Sequence, residues 1–377
     1  MPLKLLVAGG GTGGHLYPAI SIVHALRACL PSIEVLFVGS PRGLEARLLP
    51  PLGERLILID VAPIKGQALK AVFRSLSKLP LAALQALSLL CRERPDLVLG
   101  LGGYASGPLV ALHALFGGRS AIVEPNLTPG FTNRLLGPLV GRAYLAFEET
   151  AVFFGSKARV FGTPLRPSIV AWAKRAHADP QRLESEARHI LVLGGSRGAQ
   201  RLNEIVPEAI ALLPEPLRRL PIVHQSGVEM AQRVEAAYRS QGLSAQVFPF
   251  IEDPAPWIAQ AIVVIARAGA STLAELCAIG RPSILIPYPH AADDHQRHNA
   301  IRLHSKGAAI HLPQSELTPF SLCAHLRCLL ESPNKRFEMA GAMRRLGRPD
   351  AAFRIAKDIM ELVGVHLHHH PPSFGFH

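Results

Sequence analysis

The chain has 377 residues, 49% of them hydrophobic and 18% charged, with a formal net charge of +12. That length exceeds one ordinary core and points to about two domains, while the apolar content excludes a disordered chain. Five scattered cysteines without metal-ligand spacing exclude a disulfide framework and fit a reducing cytoplasm. The positive charge calls for an anionic partner, and nucleic acid is set aside because no basic run interleaves with the sparse aromatics, 6% of the chain.

In chain order, short β-branched runs alternate with helical-period stretches. The first series of expected strands is 3–8, 35–38, 56–61, 97–101, 121–123, 142–146 and 158–160. The second is 189–193, 221–224, 245–248, 262–265, 283–286 and 308–311. Strands separated by helices imply right-handed βαβ units and parallel sheets. The chain enters its first strand at once, so no secretion signal is expected. Its longest apolar-rich run, 79–91, is shorter than the roughly 20 residues of a membrane span.

The first strand runs into Gly9-Gly10-Gly11-Thr12-Gly13-Gly14-His15. Glycines permit positive φ and close backbone approach, and the free amides of a helix start favour an anion. Gly9, Gly11 and Gly14 satisfy the dinucleotide fingerprint, yet the second strand, Glu34-Val35-Leu36-Phe37-Val38, ends in Gly39-Ser40 without the acid that would hold a ribose. A nicotinamide enzyme is therefore disfavoured, and the absence of Gly-Lys-Ser/Thr disfavours ATP hydrolysis. A second glycine turn, Gly102-Gly103-Tyr104-Ala105-Ser106-Gly107, follows the fourth expected strand. Two such turns on one rim suit a diphosphate; tight strand–helix packing is the plainer reading.

A basic amphipathic segment precedes the run at 79: Lys65, Lys70, Arg74 and Lys78 are interspersed with Leu69, Val72, Phe73 and Leu76. It reads either as a surface helix or as a contact with anionic lipid. The seam between domains is placed near Gly162-Thr163-Pro164-Leu165-Arg166-Pro167, where two prolines interrupt regular structure. The expected division is 1–164 and 165–348, with the last helix, 349–364, joining the first domain and a disordered histidine-rich tail at 365–377.

The second series opens like the first, with a strand followed by Gly194-Gly195-Ser196-Arg197-Gly198-Ala199. Later come Arg267-Ala268-Gly269-Ala270-Ser271-Thr272 and Glu275. Thr272 and Glu275 fit a capping box; alternatively the amides of Ser271 and Thr272 meet a nucleotide diphosphate while Glu275 accepts the ribose hydroxyls. The loop Pro287-Tyr288-Pro289-His290-Ala291-Ala292-Asp293-Asp294-His295-Gln296 is dense in groups that could recognise sugar hydroxyls, or it is simply solvated. No metal ligand set is evident.

Taken together these motifs, with Glu124-Pro125-Asn126, Gln225-Ser226-Gly227, Phe250-Ile251 and His295 to Asn299, resemble those of the MurG-type glycosyltransferase family over residues 3 to 363. The resemblance implies an α/β, GT-B fold, two doubly wound Rossmann-like domains with parallel sheets facing a central cleft. It implies transfer of N-acetylglucosamine from UDP-N-acetylglucosamine to lipid I, giving lipid II, with a UDP-N-acetylglucosamine 2-epimerase of the same architecture as the alternative.

Carried onto this sequence, the resemblance implies that Ile251 offers its backbone to uracil, Glu275 takes the ribose diol, and Ser271 and Thr272 take the diphosphate. Ser196 and Arg166 lie near the nucleotide, His295 and Gln296 face the sugar, and Thr12, Gly13, Gly14 and Asn126 contribute from the first domain. Gly11, Gly14, Gly103, Tyr104 and Ser106 form loops for the acceptor diphosphate. Two departures are visible: His295 stands where a second glutamine can occur, and Pro125 interrupts the frequent Glu-Gln-Asn. His15, at a helix start that favours a neutral imidazole, is the expected base; its rival role is positioning the acceptor diphosphate. No cofactor or metal is implied. The lipid-borne acceptor implies a peripheral protein on an anionic membrane surface, at the cytoplasmic face of the inner membrane, with contacts to other cell-wall synthesis proteins.

Overall fold

In the computed structural model the described residues are 2–10, 13–41, 43–59, 79–103, 106–195 and 198–365. The chain divides into two compact units, Met1–Arg166 with Asp350–His377, and Pro167–Pro349. A proline stands on the second-unit side of each crossing.

Among the described residues, the first unit contains β1 (Lys4–Ala8), β2 (Glu34–Gly39), β3 (Arg55–Leu58), β4 (Leu97–Gly100), β5 (Arg119–Glu124), β6 (Arg142–Leu145) and β7 (Ala158–Val160). They form one parallel sheet in the order β3-β2-β1-β4-β5-β6-β7. The second unit contains β8 (His189–Leu193), β9 (Ile222–Gln225), β10 (Ala245–Phe248), β11 (Ala261–Ala266), β12 (Ser283–Leu285) and β13 (Ile310–His311). Their order, β10-β9-β8-β11-β12-β13, repeats the first, again all parallel.

Such sheets are buried on both faces in their centre, and the central strands β1, β4, β8 and β11 are correspondingly apolar for most of their length. Alternation splits β1 between two cores. Leu5 and Val7 join Leu16, Ile22, Val23 and Leu26 of the helix Gly13–Cys29 on one face. Leu6 and Ala8 join Ala86, Leu89 and Leu90 of the helix Leu79–Glu93 and Leu109 and Val110 of the helix Ser106–Leu115 on the other. The final helix, Ala351–Val363, completes the first core with the stripe Ile355, Ile359 and Val363. Its buried Asp358 accepts from the Tyr144 hydroxyl at 2.9 Å and from Arg142 Nε at 3.2 Å, fixing the helix to β6.

The strands expected from sequence are all present; β7, β8 and β10 have the expected bounds and the others have shifted ends. Residues 60 and 61 of the third expected strand, the basic segment from Lys65 to Lys78, and the tail from residue 366 lie outside the described residues. Among the described residues no helix is long and apolar enough to cross a membrane.

Candidate functional site

In each sheet the strand order reverses once, between β1 and β4 in the first unit and between β8 and β11 in the second. Chains leaving adjacent strands in opposite directions open a crevice at the carboxyl ends, where ligands of doubly wound sheets bind. The glycine turns follow these four strands.

In the first unit the turns after β1 and β4 are in contact. A Cβ on Gly9 would stand 2.8 Å from the Gly102 carbonyl oxygen, and one on Gly103 would stand 3.4 Å from that of Gly10. Gly9, Gly102 and Gly103 all have positive φ, at 139°, 84° and 80°. Only glycine satisfies both demands without strain. His15, in the first turn of the helix Gly13–Cys29, lies against this junction: a Cβ on Gly102 would meet its Cε1 at 3.3 Å and the Asn133 amide nitrogen at 3.8 Å.

Glu124 closes β5 beside them. Its Oε1 accepts from the Asn126 backbone N–H at 3.0 Å and the Asn126 side-chain amide at 3.2 Å. Its Oε2 accepts from the Gly130 N–H and the Asn133 amide, both at 2.9 Å. Burial pushes this carboxyl above the usual carboxylate range, and the four N–H donors oppose that shift. The turn carrying Asn126 is thereby fixed. Arg166 stacks on the Tyr17 ring, its guanidinium carbon 3.7 Å from the centroid. The Ser106 hydroxyl is fully buried and donates to the Gly103 carbonyl at 2.9 Å, so it braces the second turn. Gly11, Thr12, Tyr104 and the surroundings of Gly13 lie outside the described residues, as does Ser196.

In the second unit the turn after β8 packs on the turn after β9. Gly198, at φ 75°, has no room for a Cβ beside the Ser226 carbonyl. Gln225 closes β9, and its Oε1 accepts the Ile251 N–H at 3.1 Å. Gln225 thereby takes up the Ile251 N–H. After β11, the helix Ala270–Ile279 starts from Gly269, with no side-chain cap. Of the two alternatives for Thr272 and Glu275, the capping box is not formed, because the chain has already turned into helix at Ala270. A Cβ at Gly269 would meet nothing within 4 Å, so the helix end opens onto space. Ser271 and Thr272 are half-buried in its first turn, and Glu275 is buried one turn further on.

Arg267 braces the neighbouring loop: it donates to the Ile286 and Pro287 carbonyls, both at 3.1 Å, and to Gln314 Oε1 at 2.7 Å. Burial lowers its guanidinium to about 10. Gln296 Oε1 accepts the Tyr288 N–H at 3.0 Å, leaving its NH2 for other partners, and His295 donates through Nδ1 to the Ala292 carbonyl at 2.6 Å. Asp293 and Asp294, just before them, hold φ of 53° and 52°, a strained path that aims the start of the helix His295–Ser305. Roles for Glu124, Gln225 and Arg267 were not assigned from sequence. Their common signal is a polar side chain at or just beyond the carboxyl end of a buried strand.

Residues 5–145 match the glycosyltransferase family 28 N-terminal domain, and residues 189–355 match the glycosyltransferase family 28 C-terminal domain. The UDP-N-acetylglucosamine–N-acetylmuramyl-(pentapeptide) pyrophosphoryl-undecaprenol N-acetylglucosamine transferase of Sorangium cellulosum is 44% identical over 97% of this chain and 90% of its own. The protein of the same name from Geobacter sulfurreducens is 42% identical over 95% and 98%. The crystal structure of Acinetobacter baumannii MurG superposes with a TM-score of 0.76 at 31% identity, covering 96% of this chain and all of that one. The UDP-GlcNAc 2-epimerase of Neisseria meningitidis shares the fold, with a TM-score of 0.66 over 95% of this chain and all of its own, at 11% identity. The chain belongs to glycosyltransferase family 28, among the UDP-N-acetylglucosamine–N-acetylmuramyl-(pentapeptide) pyrophosphoryl-undecaprenol N-acetylglucosamine transferases.

Proposed function

We propose that the chain transfers N-acetylglucosamine from UDP-N-acetylglucosamine to the C4 hydroxyl of the N-acetylmuramyl unit of lipid I, releasing UDP and giving lipid II with inversion. The observation that carries this reading is the pair of crevices: one lined by glycine turns and His15, the other by glycine turns and an uncapped helix end. The relatives bear the same activity in their names.

In this mechanism the His15 imidazole takes the proton of the acceptor hydroxyl as its oxygen attacks the anomeric carbon. The bond from that carbon to the phosphate oxygen breaks, and UDP leaves carrying the bonding pair. General-base help of this kind contributes about 10²–10⁴-fold. The developing charge on the diphosphate is met by the Ser271 and Thr272 amides at the positive end of their helix, so no metal is required. Glu275 accepts the ribose hydroxyls and the Ile251 carbonyl accepts from uracil. Arg166 and Ser196 lie near the nucleotide. The Gln296 NH2 and His295 face the sugar, and Asn126, Thr12, Gly13 and Gly14 are assigned to the same substrate. Gly11, Gly14, Gly103 and Tyr104 offer backbone to the acceptor diphosphate.

His15→Ala is expected to lower kcat by about 10²–10⁴-fold while leaving UDP affinity, measured by calorimetry, within twofold. Near-normal turnover would remove the base; loss of UDP affinity would place His15 at the nucleotide instead.

The acceptor's lipid requires membrane contact, and the same reading makes the protein peripheral, at the cytoplasmic face of the inner membrane. Supporting it, Leu81 and Leu84 stand 59% and 63% exposed on one face of the helix Leu79–Glu93, and Leu115 and Phe116 stand 65% and 71% exposed. Apolar groups of that size on a basic protein suit an anionic lipid surface.

A further inference from the structure

Glu45 opens the short helix Glu45–Leu48 in the connection after β2, and only 1% of it is exposed. A carboxylate so deeply buried is costly unless polar partners receive it. Its Oε1 accepts the Ser40 N–H at 2.8 Å and the Ser40 hydroxyl at 3.3 Å. The rest of the side chain is walled by glycines: a Cβ on Gly10, Gly39 or Gly43 would collide with it. None of these three glycines has positive φ. The room taken by Glu45, more than the backbone path, accounts for their lack of a side chain.

Gly10 belongs to the turn after β1, whereas Gly39 ends β2 and Ser40 and Gly43 belong to the chain after it. β1 and β2 are paired neighbours, Ala8 opposite Val38, so the Glu45 carboxyl is wedged between two adjacent strand ends. That first turn borders the one after β4. The Gly10 carbonyl lies under Gly103, Gly9 lies against the Gly102 carbonyl, and Gly102 carries the His15 ring.

We propose that Glu45 is a positioning residue for the transfer reaction: its buried carboxyl sets the path of the first glycine turn and thereby the placement of His15. The inference rests on the transfer reading given above. Glu45 performs no proton transfer itself; it fills a space that the two turns must share. Misplacement of a reacting group by about 1 Å costs on the order of 10²-fold in rate, which sets the scale of the effect.

The test is a double-mutant cycle in the full chain with Glu45→Ala, Gly10→Ala and the combination, measuring kcat, KM for a lipid I analogue, and Kd for UDP. Each single change is expected to lower kcat about 10²-fold with UDP affinity within twofold. The double variant is expected to be no worse than the weaker single, since the new methyl enters the space Glu45 leaves. Glu45→Gln keeps the volume and an oxygen for Ser40, and is expected to return kcat to within about tenfold of wild type. Multiplying effects in the double variant, unchanged kcat in Gly10→Ala, or a folded Glu45→Gln as inactive as His15→Ala would each overturn the proposal. The His15 imidazole resonances, followed by NMR, are expected to shift in Gly10→Ala and to stay near wild type in Glu45→Gln; this readout needs no acceptor. Unmoved His15 signals in Gly10→Ala overturn the positioning role, whereas a wild-type chain inert towards the lipid I analogue overturns the transfer reading alone.

Discussion

His224 shows how a single buried residue shapes the second unit's crevice from beneath. The Ser226 carbonyl can only accept, so Asn203 presents its NH2 there, at 2.9 Å, and its oxygen to His224 Nε2 at 3.0 Å. The ring is therefore protonated on Nε2, and Nδ1 accepts from the Tyr238 hydroxyl at 2.9 Å. This neutral network holds the Ser226 carbonyl against Gly198. Complete burial lowers His224 to about 3, below its usual value, so the folded state favours the neutral ring. That contribution is fully present above about pH 6.5 and is lost as pH falls from there towards 3. His189, lowered by burial to about 4, acts in the same direction over an overlapping window. His224→Gln is expected to flatten the fall of Tm between pH 6.5 and 4 without abolishing it, because His189 remains. Parallel curves for the two proteins would show that His224 does not carry the predicted share.

Residues of this kind were the least legible in the sequence. The motif Gln225-Ser226-Gly227 marked the place, but nothing local says that Gln225 would take the Ile251 N–H 26 positions away. Glu45 gave no signal at all, since its glycine walls come from two different turns.

At the scale of elements, the strands were legible because a parallel sheet covered on both faces demands continuous apolar runs. Their ends were less so. β11 runs from Ala261 to Ala266, one residue beyond expectation at each end, because its pairing with β8 continues from Ala261 to Ala266 across a bulge. The start of the helix Ala270–Ile279 was ambiguous for a similar reason: the Thr272 and Glu275 pattern is a local cue, while the helix in fact starts from Gly269, whose backbone is ordinary extended at φ −69° and ψ 138°. The uncapped start leads to a prediction that separates function from stability. Ser271→Asp adds a negative charge to the first helical turn, which favours the helix by about 0.3–1 kcal/mol and opposes a bound diphosphate. Tm is expected to hold or rise while UDP affinity falls about tenfold or more. Unchanged UDP affinity would move the diphosphate to another helix end.

For the molecule as a whole, the doubly wound α/β class and its repetition in two units were legible from alternating strand and helix periods and from two glycine openings. The amphipathic stripe of the last helix says that it packs, and only the three-dimensional arrangement says against which core. The proposed membrane contact belongs to this scale, since it joins net charge to exposed apolar side chains. Replacing Leu84 and Phe116 with serine leaves the core intact, as both are largely exposed. Binding to vesicles rich in anionic lipid is expected to drop about tenfold, with UDP affinity unchanged. Undiminished vesicle binding would assign the contact to another surface.

The central claim is that this chain couples a UDP-sugar to a lipid-linked acceptor. Labelled UDP-N-acetylglucosamine, incubated with and without a lipid I analogue, tests it most directly. UDP release and a labelled disaccharide lipid are expected in equal amounts, and only when the acceptor is present. Conversion of the UDP-sugar to its 2-epimer, or UDP release at the same rate without acceptor, would contradict it.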